Sequence, residues 1–392
     1  MNDSTYANQR KINPGVRPDG TPDDNDRAEI GPTPLAFQEW ADAGLTAPNL
    51  AAMREFRVKR LSQHVQARDL AGVLVFDPLN IRYATDSTNM QLWNAHNPFR
   101  ACFIGADGYV VLWDFHGSEM LSAFNPMVRE VRKGASSFYF VTGDKSDDAA
   151  HAFARDLDSL IRERYGANRR IAVDKIQIHG LRALEKLGLE VLDGEEVMEK
   201  ARSVKGADEI LAMRCAVHAC DMAIAEMRRV AKPGMTENDV WSVLHAENIK
   251  RGGEWIETRL LSSGQRTNPW FHECGPRVIQ PGDILAFDTD LVGSYGICVD
   301  ISRTWVIGDE DATPEQKRLF QEAHAQVMDN MEMLAPGRSF RDLTFGGRPL
   351  PEEFEKLRYS VKLHGVGMCD EWPAIYYPGD YVEGSFEYEL EA

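Results

Sequence analysis

The sequence predicts an α+β protein: a smaller α/β domain, then a larger domain in which helices back a curved sheet. Three observations predict it. Short apolar runs of strand length alternate with helical patterns up to about residue 195. From Ser203 onward come long apolar-striped segments with helix-cap signatures. Between those later helices lie strand-like runs, among them residues 278–290, a grouping that favours helices packed on one face of a sheet. The expected division is an N-terminal arm over 1–45, an α/β domain over 46–202 and the larger domain over 203–392.

Each element follows from its own pattern. Residues 1–35 are polar and rich in Asp, Pro, Gly and Asn, the composition of an arm or tail. Met53, Phe56, Val58, Leu61 and Val65 recur at helical spacing within 51–69. The run 72–77 has strand length. Residues 101–113 read as a hairpin turning at Asp107-Gly108. A helix is expected over 146–165, a strand over 170–175 and a short helix over 180–187. The apolar stripe of 206–230 stops at Lys232-Pro233-Gly234. Thr236 and Asp239 then form a capping-box pattern for a helix ending at Gly252-Gly253. Thr313, Pro314 and Gln316 start another: a cap, a first-turn proline and a Gln that reaches back.

Composition excludes some functions. The net charge of −17 argues against a nucleic-acid partner, because phosphate binding needs a basic footprint. No stretch approaches the roughly 18–20 uncharged apolar residues of a membrane span. The N-terminus lacks the apolar core of a secretory signal, so the expected location is cytoplasmic. The six cysteines form no CxxC pair, and buried reduced thiols are expected.

Chemistry concentrates in residues 282–305. Asp288 and Asp290 are two apart, so on a strand they share a face. Asp300 lies on the next strand-like run, beyond Gly293 and Gly296, and a hairpin would join all three. Neighbouring Ala286, Phe287, Ile297, Cys298 and Val299 imply a buried site. At an effective dielectric of about 20, two carboxylates ~4 Å apart repel by ~4 kcal/mol, so the cluster must take up protons or bind a cation. The bland alternative is turn aspartates facing water. His364, followed at once by Gly-Val-Gly, adds an imidazole where the backbone can approach closely. Oxygen donors with one imidazole suit Fe, Mn, Zn or Co better than Ca or Mg; iron is the first expectation, as one or two ions.

These segments resemble the methionine aminopeptidase, prolidase and creatinase family. Its pattern of an Asp, a glycine turn and a second Asp before I-x-R-T, followed by H-G-x-G, is matched by Asp288, by Asp300-Ile-Ser-Arg-Thr304 and by His364-Gly-Val-Gly367. Arg202-Ser-Val-Lys205 and Glu209 are similar to the start of its catalytic domain. The resemblance implies a pita-bread metal-binding domain behind a creatinase-like one, and a homodimer in which the segment around Trp93 reaches the neighbour's site. The chain departs from the pattern in three ways. Asp290 is an added carboxylate, and the Asp288-to-Asp300 gap is one residue longer than usual. The family's H-E-x-P reads Asp370-Glu371-Trp372-Pro373, which removes a histidine that peptide hydrolysis uses. Two late glutamate ligands are missing, and Glu387, Glu389 and Glu391 do not stand in their setting, so the chain is expected to be cut short at its C-terminus.

Together with residues 77–101, these departures are similar to the DddP-type dimethylsulfoniopropionate (DMSP) lyases, which implies cleavage of DMSP to dimethyl sulfide and acrylate. A base must then remove a proton beside the substrate carboxylate, and Asp370 is the natural candidate. Tyr359, five residues before His364, and His272 are further catalytic candidates. The sulfonium is a soft cation suited to aromatic faces, and Trp93, Trp270 and Trp372 are candidates to bind it, from a group that also includes Phe99, Phe271, Tyr376 and Tyr377. Competing expectations are a metallopeptidase of the same fold, a creatinase-like hydrolase without metal, and a binding protein without catalysis.

Overall fold

The computed structural model describes residues 30–134, 137–384 and 387–391. The chain divides into two compact units, Met1–Ala212 and Met213–Ala392, and the division falls inside the helix Ala207–Val230. No helix among the described residues is long and apolar enough to cross a membrane.

In the first unit, β1 (Gly72–Val75), β2 (Ala101–Gly105), β3 (Val110–Asp114), β4 (Val128–Lys133), β5 (Arg170–Val173) and β6 (Glu190–Asp193) form one sheet in the order β4-β3-β2-β1-β5-β6. β1 pairs antiparallel with β2 and parallel with β5, so the sheet is mixed. The expected hairpin is present: β2 pairs with β3, and Gly108 at φ 76° takes the left-handed position of its turn. Its core joins Leu74, Phe103, Val111 and Trp113 of the sheet to Phe153, Leu157 and Ile161 of the helix Ser146–Tyr165. That helix carries the amphipathic stripe that its spacing predicts. Part of the expected arm is folded: Pro34–Asp42 is a helix capped by Thr33, and it buries Phe37 and Trp40. Residues 1–29 of that arm lie outside the described residues.

The second unit is built from short strands and long helices. β7 (Leu261–Ser263), β8 (Ile284–Phe287) and β11 (Arg303–Val306) pair antiparallel in the order β11-β8-β7. β9 (Leu291–Val292) pairs with β10 (Cys298–Val299), and β12 (Val361–Val366) with β13 (Asp370–Tyr376). Both expected capping boxes form, Thr236 with Asp239 on the helix Glu237–Lys250 and Thr313 with Gln316 on the helix Pro314–Met331. Each satisfies two backbone groups that a helix start leaves open. The strand-like run 278–290 is shorter than its apolar pattern implies. Pro281-Gly282 turns the chain, with Gly282 at φ 78°, and only 284–287 enter the sheet.

Candidate metal centre

Asp288 follows β8, and its backbone N–H donates to the Leu260 carbonyl at 2.9 Å. Asp290 does not continue the strand. It sits at φ 39° between β8 and β9, so the period-two reading of Asp288 and Asp290 is replaced by a local break. Thr289 between them is fully buried, and its hydroxyl contacts both the Val299 carbonyl (2.5 Å) and the Ile301 N–H (3.0 Å). That double contact ties the two aspartates to the end of β10, where Asp300 follows. The hairpin β12–β13 is laid against β10 by one backbone bond, from the Cys298 N–H to the Gly367 carbonyl (2.8 Å). His364 of β12 and Asp370 of β13 thereby come to the same place as Asp300.

The five side chains form a continuous string. Asp288 shares a hydrogen bond with Asp300. Asp300 Oδ2 lies 3.3 Å from His364 Nε2, His364 Nδ1 lies 3.9 Å from Asp370 Oδ1, and Asp370 shares a hydrogen bond with Asp290. His364 Nδ1 also stands 2.9 Å from the Gly365 carbonyl, and Nε2 is the nitrogen aimed at Asp300. Ser302, which carried no sequence signal of its own, donates from its hydroxyl to Asp288 at 2.7 Å.

The charges behave as crowded carboxylates must. Burial, then the hydrogen bond and charge of Asp300, push Asp288 up. Burial and the charge of Asp300 do the same to Asp290. Asp300 is held down, chiefly by its bond to His364, and that bond raises His364 to about 9. Asp370 is pushed up to about 6 by burial and then by the charge of Asp290.

A metal-ion fit can be tested on the donor atoms. Among the described residues, Asp300, His364 and Asp370 offer donors that all lie within 4.8 Å of one another. Two carboxylates and an imidazole suit a borderline divalent transition metal. Asp288 and Asp290 stand one hydrogen bond from that trio and have the same chemistry. The site is not uniformly buried, as the apolar neighbours had implied. Asp290 is 7% exposed, whereas the Asp370 side chain is 48% exposed, so the cluster opens toward β13.

The remaining candidates have definite places. His272 sits on the loop after β7, with Nδ1 2.6 Å from the Arg266 carbonyl. Tyr359, just before β12, meets the ring of Phe271 edge-on at 5.5 Å. Trp270 is half-buried on the same loop as Phe271. Trp372 packs instead on Phe340 (5.2 Å) and Tyr388 (5.4 Å), beside the small core of Phe340, Leu343 and Ile375. Part of its surface thus serves packing, and the ring is half-buried. Trp93 lies in the first unit, among Phe115, Phe138 and Phe140.

Residues 57–204 match the creatinase/prolidase N-terminal domain, and residues 211–387 match metallopeptidase family M24. Two curated relatives match almost the whole chain. The dimethylsulfoniopropionate lyase DddP of Roseovarius nubinhibens is 59% identical over 98% of this chain and 88% of its own length. That of Roseobacter denitrificans is 56% identical over 97% and 87%. The chain belongs to the DddP family. The family joins a creatinase-type N-terminal domain to a pita-bread domain of the M24 type, a setting that implies a divalent metal. Solved structures agree on the fold. The Xaa-Pro dipeptidase from Bacillus anthracis superposes with TM-score 0.64 at 18% identity, covering 84% of this chain and 86% of that one. The prolidase from Pyrococcus horikoshii gives 0.63 at 19%, covering 86% and 87%.

Proposed function

We propose that this protein is a metal-dependent carbon–sulfur lyase that cleaves DMSP to dimethyl sulfide and acrylate. The observation that carries the reading is Asp370. A carboxylate stands beside the metal cluster, half open to solvent and raised to about 6, in a chain 59% identical to a DMSP lyase. Asp288, Asp290, Asp300 and His364 are the proposed ligands of one or two ions, with iron the first choice and Mn, Zn or Co the alternatives. When bound, the metal supplies a Lewis acid for the substrate carboxylate and the charge that develops beside it.

The chain's own residues perform the rest. Asp370 takes the proton from the carbon next to the substrate carboxylate. The C–H electron pair becomes the new C=C bond as the carbon–sulfur bond breaks. The sulfur leaves with the bonding pair, which discharges the sulfonium and yields neutral dimethyl sulfide and acrylate. Asp370 then returns its proton to water. A partly desolvated carboxylate is more basic than an exposed Asp, which suits this task. Its openness leaves it accessible to substrate, which supports its role as the base. Tyr359 and His272 are assigned hydrogen-bonding roles toward the substrate, and Trp270 a face for the sulfonium.

We further infer a cytoplasmic homodimer divided as 46–202 and 203–392 behind the N-terminal arm. Exposed Leu92, Tyr139, Phe140 and Val141 support a paired surface on the first unit. Incubating the metal-loaded enzyme with DMSP and measuring headspace dimethyl sulfide tests the central claim; no release above a metal-free control would overturn it.

A further inference from the structure

Glu237 begins the helix Glu237–Lys250 and is fully buried. Its two carboxylate oxygens are used completely. One accepts from the Ser263 N–H (2.9 Å) and hydroxyl (2.8 Å). The other accepts from the Gly275 N–H (3.1 Å) and pairs with Arg266. Arg266 extends the clasp: its guanidinium donates to the Glu273 carbonyl (2.8 Å), and its own carbonyl meets His272 Nδ1 (2.6 Å). One carboxylate therefore holds both ends of the loop 264–275, the end leaving β7 and the end at Gly275.

The tip of that loop carries backbone strain. Phe271 stands at φ 75°, in the left-handed region that a bulky side chain rarely enters. Such a conformation persists only where the surroundings over-determine it. Phe271 is also 57% exposed, so burial of its own ring does not explain it. What its ring does touch is Tyr359, itself 52% exposed, five residues before His364. Burying the Glu237 carboxylate is a costly way to hold a loop unless its directionality matters. Here the direction is the placement of the 271–272 pair.

We propose that Glu237 is a positioning residue: by clasping both ends of the 264–275 loop through Arg266, it holds Phe271 against Tyr359 and so sets where the Tyr359 ring stands during the reaction. This rests on the reading of Tyr359 as part of the DMSP site. The pieces divide the labour. Glu237 supplies the anchor, Arg266 the span, and Phe271 the contact.

The test is a double-mutant cycle on the metal-loaded full chain. DMSP cleavage is followed for wild type, Glu237→Gln, Phe271→Leu, Tyr359→Phe and the two doubles that contain Tyr359→Phe. Metal content and amide hydrogen exchange of residues 264–275 are measured alongside. Glu237→Gln and Phe271→Leu are each expected to lower kcat about tenfold with KM and metal content nearly unchanged, and to lose that effect in the Tyr359→Phe background. Glu237→Gln is also expected to speed exchange across the loop. Single variants with wild-type kcat, or effects that multiply in full with Tyr359→Phe, overturn the proposal while leaving Tyr359 in its role. Should Glu237→Gln fail to fold, Phe271→Leu decides, since its ring is mostly exposed. A Tyr359→Phe enzyme with full kcat removes both the role of Tyr359 and the proposal. If wild type releases no dimethyl sulfide, the DMSP reading falls separately, and unchanged exchange in Glu237→Gln then sinks the clasp on its own terms.

Discussion

Asp370 and His364 stand 3.9 Å apart yet are expected to fail in different ways when replaced. Asp370→Asn keeps size and removes basicity. It should retain metal and lose about 10²–10⁴ in kcat, the usual range for a general base. His364→Ala and Asp300→Ala should lose metal, as read by elemental analysis of the purified variants. An Asn variant that makes dimethyl sulfide at the wild-type rate with metal bound would return Asp370 to a structural role. A second residue-scale expectation lies far from this chemistry. Asp174, at the end of β5, accepts from the Phe76, Asp77 and Lys175 N–H groups and from Asn80, yet burial still pushes it up to about 6. Its folded pKa is thus above the unfolded value, so the folded state holds the proton more tightly. The stability it contributes is complete below about pH 4 and is lost as pH rises through about 6, on the order of 2–3 kcal/mol. Denaturant unfolding of wild type and Asp174→Asn across pH 4–7 measures it: the variant should lack this part of the slope.

At the scale of elements, the site depends on a short hairpin and one break in a strand. The β12–β13 ladder carries an irregularity between His364 and Gly365. A Cβ added at Gly365 would lie 2.6 Å from the Trp372 carbonyl oxygen and 2.8 Å from that of Glu371, both backbone atoms that cannot swing aside. Gly365→Ala should therefore separate the two strands locally, cost about 1–3 kcal/mol and weaken metal retention. Thermal unfolding with and without added metal checks it; a variant with wild-type stability and metal content would show that the close approach is not needed. Thr289 acts at the same scale, since its buried hydroxyl joins the break after β8 to the end of β10.

For the whole molecule, the expected state is a dimer formed through the first unit. Phe140, 77% exposed, lies beside the ring of Trp93, and Tyr139 next to it in the chain is exposed as well, an apolar surface suited to an interface. Light scattering at micromolar concentration should give twice the mass of the 392-residue chain. Phe140→Asp should shift that mass toward the monomer. A wild-type chain that scatters only as a monomer would exclude the paired surface.

Much of this was legible in the residues alone, for a reason that differs by feature. Helix starts are local: Thr236 with Asp239 and Thr313 with Gln316 each satisfy their own backbone, so three-residue spacing suffices to read them. The β2–β3 hairpin is local for the same reason. Asp288, Asp290, Asp300 and His364 were readable as a cluster because crowded carboxylates in an apolar stretch have few bland explanations, and the motif spacing singled out the histidine. What the sequence could not show is which atoms meet. Asp370 joins Asp300 and His364 only because the Cys298 N–H finds the Gly367 carbonyl, a contact between segments about 70 residues apart in the chain. The strand period placed Asp288 and Asp290 on one face, and Asp290 at φ 39° overrules it. The same limit hid Ser302, Glu237 and Arg266, whose roles arise from what they touch, and it hid the contact of Phe271 with Tyr359. Residue type and spacing thus determined the chemistry available to this protein, because ionisation and capping act at short range. Tertiary structure alone decided the arrangement of the site, because a hydrogen bond between distant strands leaves no trace in local pattern.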